Sequence, residues 1–582
     1  MLINMNEEQK EVIQDWNNNI LLTAIPGSGK TRTIVYKIIE ELRNSSDNRL
    51  IVAITYTNRA AEEMLERIEK EIDDMSRLFI GTIHSFCYEY IFKRNIDKTL
   101  FFSKGYKIIS PEYESELIKT IADTKLLSKE EQNIVKFNFN TTINKDGSYN
   151  VANHNFISIL DEFYTILNKN GLVNFNSLLY ESYVILNKNP FLASNLKKAI
   201  NRLYVDEYQD THQLQYDIIT SIFKSNTDSN QQLLFVGDSN QAIYSSLGSV
   251  YKSMENLKLE FGTEFISKAL VGCYRSDSQI IEYYKNFAVN DMEMVPRVES
   301  TYDAKIEHYH LNDEETYTKV TELINSCLQN GVKDSEICIM APWWYLLVPI
   351  SQKLRDLMPT VKFDAPEITP IKRNDDLPLY KLSKLICMKI SHDNINYKRR
   401  ISRDFKMLFK DFYGITLNYT TDELLTIIEK RRPTNSDSNG TEYLKQEMEF
   451  ILYTFLGITS EVIEKDLNIF ITEIIERVNT QRFKLTNTID SFTSMFSRKK
   501  GIVISTCHGV KGEEYDVVIC LNVNEGKIPH FSSVNNRDEA KKLLFVMFSR
   551  ARKEVHVFSK SDDRNGPTNE IGPYLPDTKM YN

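Results

Sequence analysis

The 582-residue chain lacks any stretch of 18 or so unbroken apolar residues, the length a membrane-spanning helix needs. The nearest, Ile337 to Ile350, is short and interrupted by Pro342 and Pro349. The opening MLINMNEEQK has neither the basic segment nor the apolar run of a signal peptide, so a cytoplasmic location without membrane contact is expected. Seven cysteines are scattered and never form a Cys-x-x-Cys pair, which excludes a cysteine-based zinc ribbon and favours reduced thiols. Net positive charge is missing too: the formal total is −9, which argues against coating nucleic acid by bulk electrostatics but permits a local basic channel.

What is present is ordinary globular composition, 42% apolar and 26% charged, with 30 Phe and 31 Tyr to fill a core. At roughly 150 residues per domain the length suggests about four domains, or two large ones with insertions. Short β-type runs (Asn19–Thr23, Leu50–Thr55, Leu78–Ile80, Leu203–Val205, Leu233–Val236) alternate with helical patterns, the signature of a parallel sheet with crossover helices. A second set follows at Glu336–Met340, Ile502–Thr506, Val517–Leu521 and Val555–Ser559. The expected architecture is α/β, with two parallel-sheet cores each interrupted by a mostly helical insertion. The first core spans 1–90 and 196–268 around an insertion at 91–195; the second spans 269–375 and 491–560 around 376–490; 561–582 reads as a polar surface tail.

After the first strand comes Ala24-Ile25-Pro26-Gly27-Ser28-Gly29-Lys30-Thr31-Arg32, then a helical pattern. This is a Gly-x-x-x-x-Gly-Lys-Thr loop with Ala24 in place of the first glycine. Its backbone N–H groups would wrap phosphates, Lys30 would meet the β/γ oxygens of ATP, and Thr31 would ligate Mg²⁺. A chance turn before a helix is the competing reading. The required acidic partner stands at a later strand end, Val205-Asp206-Glu207-Tyr208-Gln209-Asp210: Asp206 for the Mg²⁺ shell, Glu207 to polarise the attacking water. Adjacent carboxylates could instead cap a helix. Both motifs together point to nucleoside triphosphate hydrolysis.

The series of motifs resembles superfamily 1 helicases of the UvrD/Rep type over nearly the whole chain, which implies two RecA-like cores. By that resemblance Gln9 reads adenine. Thr55 to Ala61, with Tyr56, Thr57 and Asn58, and Gly81 to Cys87, with Thr82, His84 and Ser85, touch single-stranded DNA. In Val236 to Tyr244, Gln241 senses the γ-phosphate and Tyr244 stacks near DNA. Tyr274 stacks on adenine and Arg275 reaches the γ-phosphate from the second core. Thr506 to Asp516 supplies His508 and Lys511 toward DNA and Glu514 toward the ribose, and Lys542 to Arg552 supplies Arg550 as a second arginine finger. Since Lys30, Glu207 and Gln241 belong to one core and Arg275 and Arg550 are expected on the other, hydrolysis would be tied to closure.

The chain departs from the family after Tyr244. Ser246 and Leu247 stand where an aromatic residue and an arginine are usual, removing about 1–3 kcal/mol of base stacking. Cys273 replaces an asparagine, Glu513 a leucine and Ser549 a threonine, and Asn174 and Asn176 replace acids. In the second insertion Ile401, Phe405, Leu408 and Phe412 define an apolar stripe and Arg399, Arg403, Lys406 and Lys410 a basic one, either a solvated face or a duplex contact. About thirty residues follow Arg550, too few for a fused nuclease, so any nuclease is expected on a separate chain. The implied activity is ATP- and Mg²⁺-dependent translocation or unwinding of single-stranded and duplex DNA with 3′→5′ polarity. The compact insertions resemble the UvrD-like subunit of the Gabija anti-phage system. The competing reading is a DNA- or nucleotide-sensing ATPase that activates a partner nuclease and unwinds little.

Overall fold

The computed structural model describes residues 5–99, 101–109, 111–125, 143–149, 156–224, 231–298, 304–365, 368–375, 377–391, 394–433, 435–480, 485–496, 501–530 and 537–572. The chain forms two compact units. The first comprises residues 1–275 and 288–299, the second 276–287 and 300–582.

The first unit is built on six parallel strands in the spatial order Leu78–Gly81, Leu50–Ile54, Ile200–Asp206, Gln232–Gly237, Ile20–Ala24 and Ile266–Leu270. Its central strands are buried on both faces, which is why Leu203–Val205 and Leu233–Val236 read as unbroken apolar runs. One face packs Ile34, Val35, Ile38 and Ile39 of the helix Lys30–Asn44; the other packs Leu214, Ile218 and Ile222 of Gln213–Phe223. The insertion is helical, with Pro111–Thr124, Ile157–Lys169, Phe175–Lys188 and Pro190–Ala199, plus one short parallel pair, Lys107–Ile108 with Leu172–Val173.

The second unit repeats the plan: six parallel strands in the order Lys305–Leu311, Ala551–Lys560, Tyr515–Cys520, Ile337–Ala341, Ile502–Thr506 and Phe363–Asp364. Its helical insertion, from Pro378–Cys387 to Ile489–Ser494, has its own apolar core around Phe405, Phe409, Leu444 and Phe492. The expected class, two α/β cores with parallel sheets and helical insertions, is the observed one. Among the described residues no helix is long and apolar enough to cross a membrane, and all seven cysteines are buried and outside any disulfide.

Three expectations change. Residues 269–275 join the first unit, because Ile266–Leu270 pairs with the edge of Ile20–Ala24 and the chain then runs along the phosphate loop. Within the expected tail, Thr568 donates its N–H to Val523 O at 3.1 Å and Ile571 is buried, so 568–571 is anchored while 561, 562, 564 and 565 are exposed as a surface segment would be; 573–582 lies outside the described residues. On the helix Ile395–Tyr413 the buried face is Ile401, Phe405, Phe409 and Phe412, with Leu408 half-buried. Arg399 pairs with Asp422 at 3.0 Å and Lys406 donates to Tyr419 O at 3.0 Å, so half of the basic stripe already has local partners.

A buried lysine ties the first two helices of the first unit together. Lys37, fully enclosed, donates to Val12 O at 2.9 Å, Ile13 O at 3.3 Å and Asp15 O at 2.7 Å, at the C-terminal end of Glu7–Gln14, and lies 4.0 Å from the Trp16 ring centre. Burial, with Arg202 nearby, pulls its pKa down to about 7 against the opposing pull of Asp15 and Glu41.

Candidate functional site

Because every strand of the first sheet is parallel, the loops after their C-terminal ends meet along one edge, where ligands bind in open α/β sheets. Strand order decides which motifs become neighbours. The Ile200–Asp206 strand, ending in the paired carboxylates, lies between Leu50–Ile54, which leads to Tyr56, and Gln232–Gly237, which leads to Gln241; the phosphate loop comes next.

In the phosphate loop Gly27 (φ +73°) and Gly29 (φ +81°) adopt the left-handed conformation that glycine alone takes without strain. A Cβ on Gly27 would fall 2.5 Å from Arg275 Cβ, so the loop also needs glycine for close approach. Ser28 Oγ donates to Ile25 O at 2.8 Å, fixing the turn. Lys30 and Thr31 begin the helix, so their N–H groups have no intrahelical acceptor and face any ligand at its N-terminus. Gln9 is buried beside the loop: its Nε2 donates to Ser28 O at 3.0 Å, and its Oε1 accepts from Asn6 N at 3.3 Å. Tyr274 donates its N–H to Gly27 O at 2.9 Å and leaves its ring 45% exposed. Tyr274 and Arg275 therefore border the phosphate loop within the first unit, where the sequence reading had placed Arg275 on the second.

The carboxylates form a connected network with Lys30. Lys30 Nζ lies 2.5 Å from Glu207 Oε1; Gln209 Nε2 lies 2.5 Å from Glu207 Oε2; Gln209 Oε1 accepts from Asp238 N at 3.1 Å; and Gln241 Nε2 donates to Asp238 Oδ2 at 2.8 Å. Glu207 occupies φ +52°, a left-handed position uncommon for a residue with a side chain, and Asp206 Oδ1 accepts its N–H at 3.0 Å. Burial, then Glu207, pushes the Asp206 carboxyl up to about 7, and burial also raises Asp238. Burial alone would lower Lys30, but Glu207, Asp206 and Asp238 outweigh it and hold the ammonium above its ordinary range.

Three carboxylates thus share one ammonium in a largely dry place. That excess of negative charge fits a divalent cation, and one carboxylate (Asp206) with one hydroxyl (Thr31) is the sparse protein set Mg²⁺ accepts when waters and phosphate oxygens complete its shell.

On the other side of Asp206 and Glu207 lies a cavity of about 260 Å³ lined by Thr55, Tyr56, Thr82, His84, Thr211 and His212 as well as both carboxylates. Tyr56 and Tyr244 meet with ring centres 4.9 Å apart. Thr57 caps Asn58–Glu69 by accepting from Ala60 N at 3.2 Å, and Thr82 caps the next short helix by accepting from Ser85 N at 3.3 Å. Burial, then His212, lowers the His84 pKa to about 4, which keeps the imidazole neutral. Residues 245–247 form an exposed turn.

On the second unit Arg550 is almost fully buried: Nε donates to Val546 O at 3.0 Å, one terminal nitrogen to Ser549 Oγ at 2.9 Å and the other to Glu513 O at 3.4 Å. Glu514 pairs with Arg552 at 3.1 Å. His508 follows the strand Ile502–Thr506, with Lys511 in the same turn.

Sequence reasoning missed several participants. Gln209 bridges Glu207 to the next strand. Asn240 accepts from the N–H groups of Val289 and Asn290, each at 2.9 Å, and so holds the segment after the 276–287 excursion. Phe175 sets its edge against His84 at 5.6 Å, while Asn174 beside it is spent as the cap of Phe175–Lys188. Only the nearness of Gln209 to Asp206 and Glu207 hinted at any of these.

A family model described as the UvrD/REP helicase N-terminal domain matches residues 5–262, and one described as the UvrD-like helicase C-terminal domain matches 379–561. ATP-dependent DNA helicase PcrA of Staphylococcus aureus is 23% identical, over 96% of this chain and 83% of its own length. ATP-dependent DNA helicase Rep of Buchnera aphidicola is 24% identical over 95% and 93%, and a probable DNA helicase II homolog of Mycoplasma genitalium 25% over 95% and 84%.

Proposed function

Because the chain belongs to the UvrD/REP helicase family, and so is an ATP-hydrolysing DNA helicase, we propose that it moves 3′→5′ along single-stranded DNA and separates duplex ahead of it. The observation that carries this reading is the placement of Asp206 and Glu207 between the phosphate loop and the cavity walled by Thr55, Tyr56, Thr82 and His84. One pair of carboxylates borders both the nucleotide side and the DNA side.

The residues divide the work as follows. Gly27 to Arg32 cradle the phosphates, with Lys30 on the outer oxygens; Thr31 and Asp206 would hold Mg²⁺, which would supply positive charge to offset the negative charge of the phosphate oxygens. When Lys30 turns to phosphate it releases Glu207, whose other oxygen stays on Gln209, and the freed oxygen accepts a proton from the attacking water. Gln241, Arg275 and Arg550 stabilise the charge that develops. Gln9 and Tyr274 border the base and Glu514 the ribose; Tyr56, Thr57, Asn58, Thr82, His84, Ser85, Tyr244, His508 and Lys511 contact the strand. Strand displacement on duplexes with a 3′ tail and with a 5′ tail, with ATP and Mg²⁺, tests the reading. Displacement confined to the 3′-tailed substrate is expected; displacement confined to the 5′-tailed one would overturn the polarity.

The exposed 245–247 turn, with serine where a ring is usual, favours a second reading: a DNA-sensing ATPase that activates a separate nuclease, as in anti-phage defence. DNA-stimulated hydrolysis with no displacement of either substrate would select it.

A further inference from the structure

The second unit carries an aromatic cluster of which these roles use His508 alone. Strands Ile337–Ala341 and Ile502–Thr506 are neighbours in register, Ala341 opposite Thr506, so the loops that follow emerge side by side. Trp343 comes from the first loop and His508 from the second, and their ring centres lie 6.2 Å apart. His530 sets its edge against the same indole at 5.1 Å. Two residues past Trp343, in the first turn of Trp344–Leu357, Tyr345 is 50% exposed.

We propose that Trp343, flanked by His508 and His530 and followed by Tyr345, is a stacking platform on which the second unit holds bases of single-stranded DNA. The inference rests on the helicase reading above and adds Trp343, Tyr345 and His530 to the strand-binding surface.

Three observations support it. The cluster stands at the C-terminal ends of adjacent parallel strands, the edge where α/β sheets take ligands. The Trp343 side chain is half-buried, so part of it reaches solvent, while its enclosed Nε1–H meets no acceptor among the described residues. The first unit offers no ring at residues 245–247, and Trp343 supplies on the second unit the sequence-tolerant π surface missing there. The alternative, a tryptophan that only fills space, predicts no effect of DNA on its environment.

The test uses the full chain and a labelled oligothymidylate at fixed salt. Trp343→Ala is expected to weaken binding about 5- to 100-fold and Tyr345→Ala less, while Trp343→Phe, which keeps a ring, stays within about threefold. Abasic positions in the oligonucleotide should erase the difference between wild type and Trp343→Ala. Wild-type affinity in a folded Trp343→Ala protein overturns the platform. Since the chain has three tryptophans, the Trp16→Phe/Trp344→Phe double variant isolates Trp343 without altering it. Saturating oligonucleotide should quench its fluorescence, and an unchanged spectrum overturns the proposal even where Trp343→Ala does not fold. Failure of the wild type to bind the oligonucleotide would overturn the helicase reading along with it; binding that ignores Trp343 overturns the platform alone.

Discussion

The two units share a plan but hold their functional side chains differently. In the first, Lys30, Glu207, Gln209, Asp238 and Gln241 are bonded chiefly to one another, so the network exists for its own chemistry. In the second, Arg550 is bonded to Val546 O, Glu513 O and Ser549 Oγ, and Glu514 to Arg552, so the same groups also hold the fold together. Changes in the first unit should therefore separate activity from stability; changes in the second should move both.

The sharpest contrast is Arg550→Ala. Hydrolysis should fall by about 10³–10⁵ if Arg550 acts as the proposed arginine finger, and the melting temperature should fall too, because removing a buried guanidinium strands its carbonyl partners at roughly 1–3 kcal/mol each. Loss of activity in steady-state turnover with an unchanged melt would break the comparison. Glu207→Gln should lose about 10²–10⁴ in kcat yet still bind ATP, with calorimetry showing little change in unfolding, since the residue sits partly exposed in a left-handed position. Normal turnover would remove Glu207 from the mechanism. Gly237→Ala is subtler: a Cβ there would collide with Gln209 Oε1 and come within 2.6 Å of the buried Tyr208 ring, pushing the amide off Asp238 N and disturbing Glu207. About tenfold slower hydrolysis is expected from that displacement, and unaltered kcat would show that Gln209 does not position the carboxylate.

The smallest effect belongs to a structural cluster on the second unit, where buried His556 lies between Glu307 and Glu554, with Lys305 nearby. Burial opposes its charge, but the two carboxylates prevail and raise its pKa above the ordinary 6.5. A raised pKa stabilises the fold fully below the unfolded value and loses that stabilisation as pH rises through the folded value. His556→Gln should therefore lower the melting temperature more at pH 5.5–6 than at pH 8.5, and equal losses at both would deny the charged pair.

What could be read from the sequence was local. Strand, glycine loop and helix around Lys30 lie in one stretch, and Asp206 with Glu207 ends a run apolar enough to declare itself a buried strand. The strands Ile266–Leu270 and Lys305–Leu311 escaped because they lie at sheet edges with side chains in solvent, so no apolar run marks them. Missing the first of these also misplaced Arg275, since pairing with Ile20–Ala24 is what carries it to the phosphate loop. Arg550 could be assigned a role by resemblance, but its hydrogen bonds to Val546 O and Glu513 O follow from backbone geometry that no motif states. Phe409 over Leu408 is a rotation of one residue around a helix, below what spacing alone resolves.

Lys37 has a consequence for anyone shortening this protein. Its ammonium is held by carbonyls of Val12, Ile13 and Asp15 and by the face of Trp16, so residues 5–16 are an internal part of the first unit. Trimming them to shorten the N-terminus would leave a cation facing an empty apolar slot and would also take away Gln9, and the shortened protein should misfold or collect in inclusion bodies before its enzymology could be asked about. Affinity tags and fusions that replace those residues should fare no better, whereas additions placed ahead of Met5 leave the socket intact.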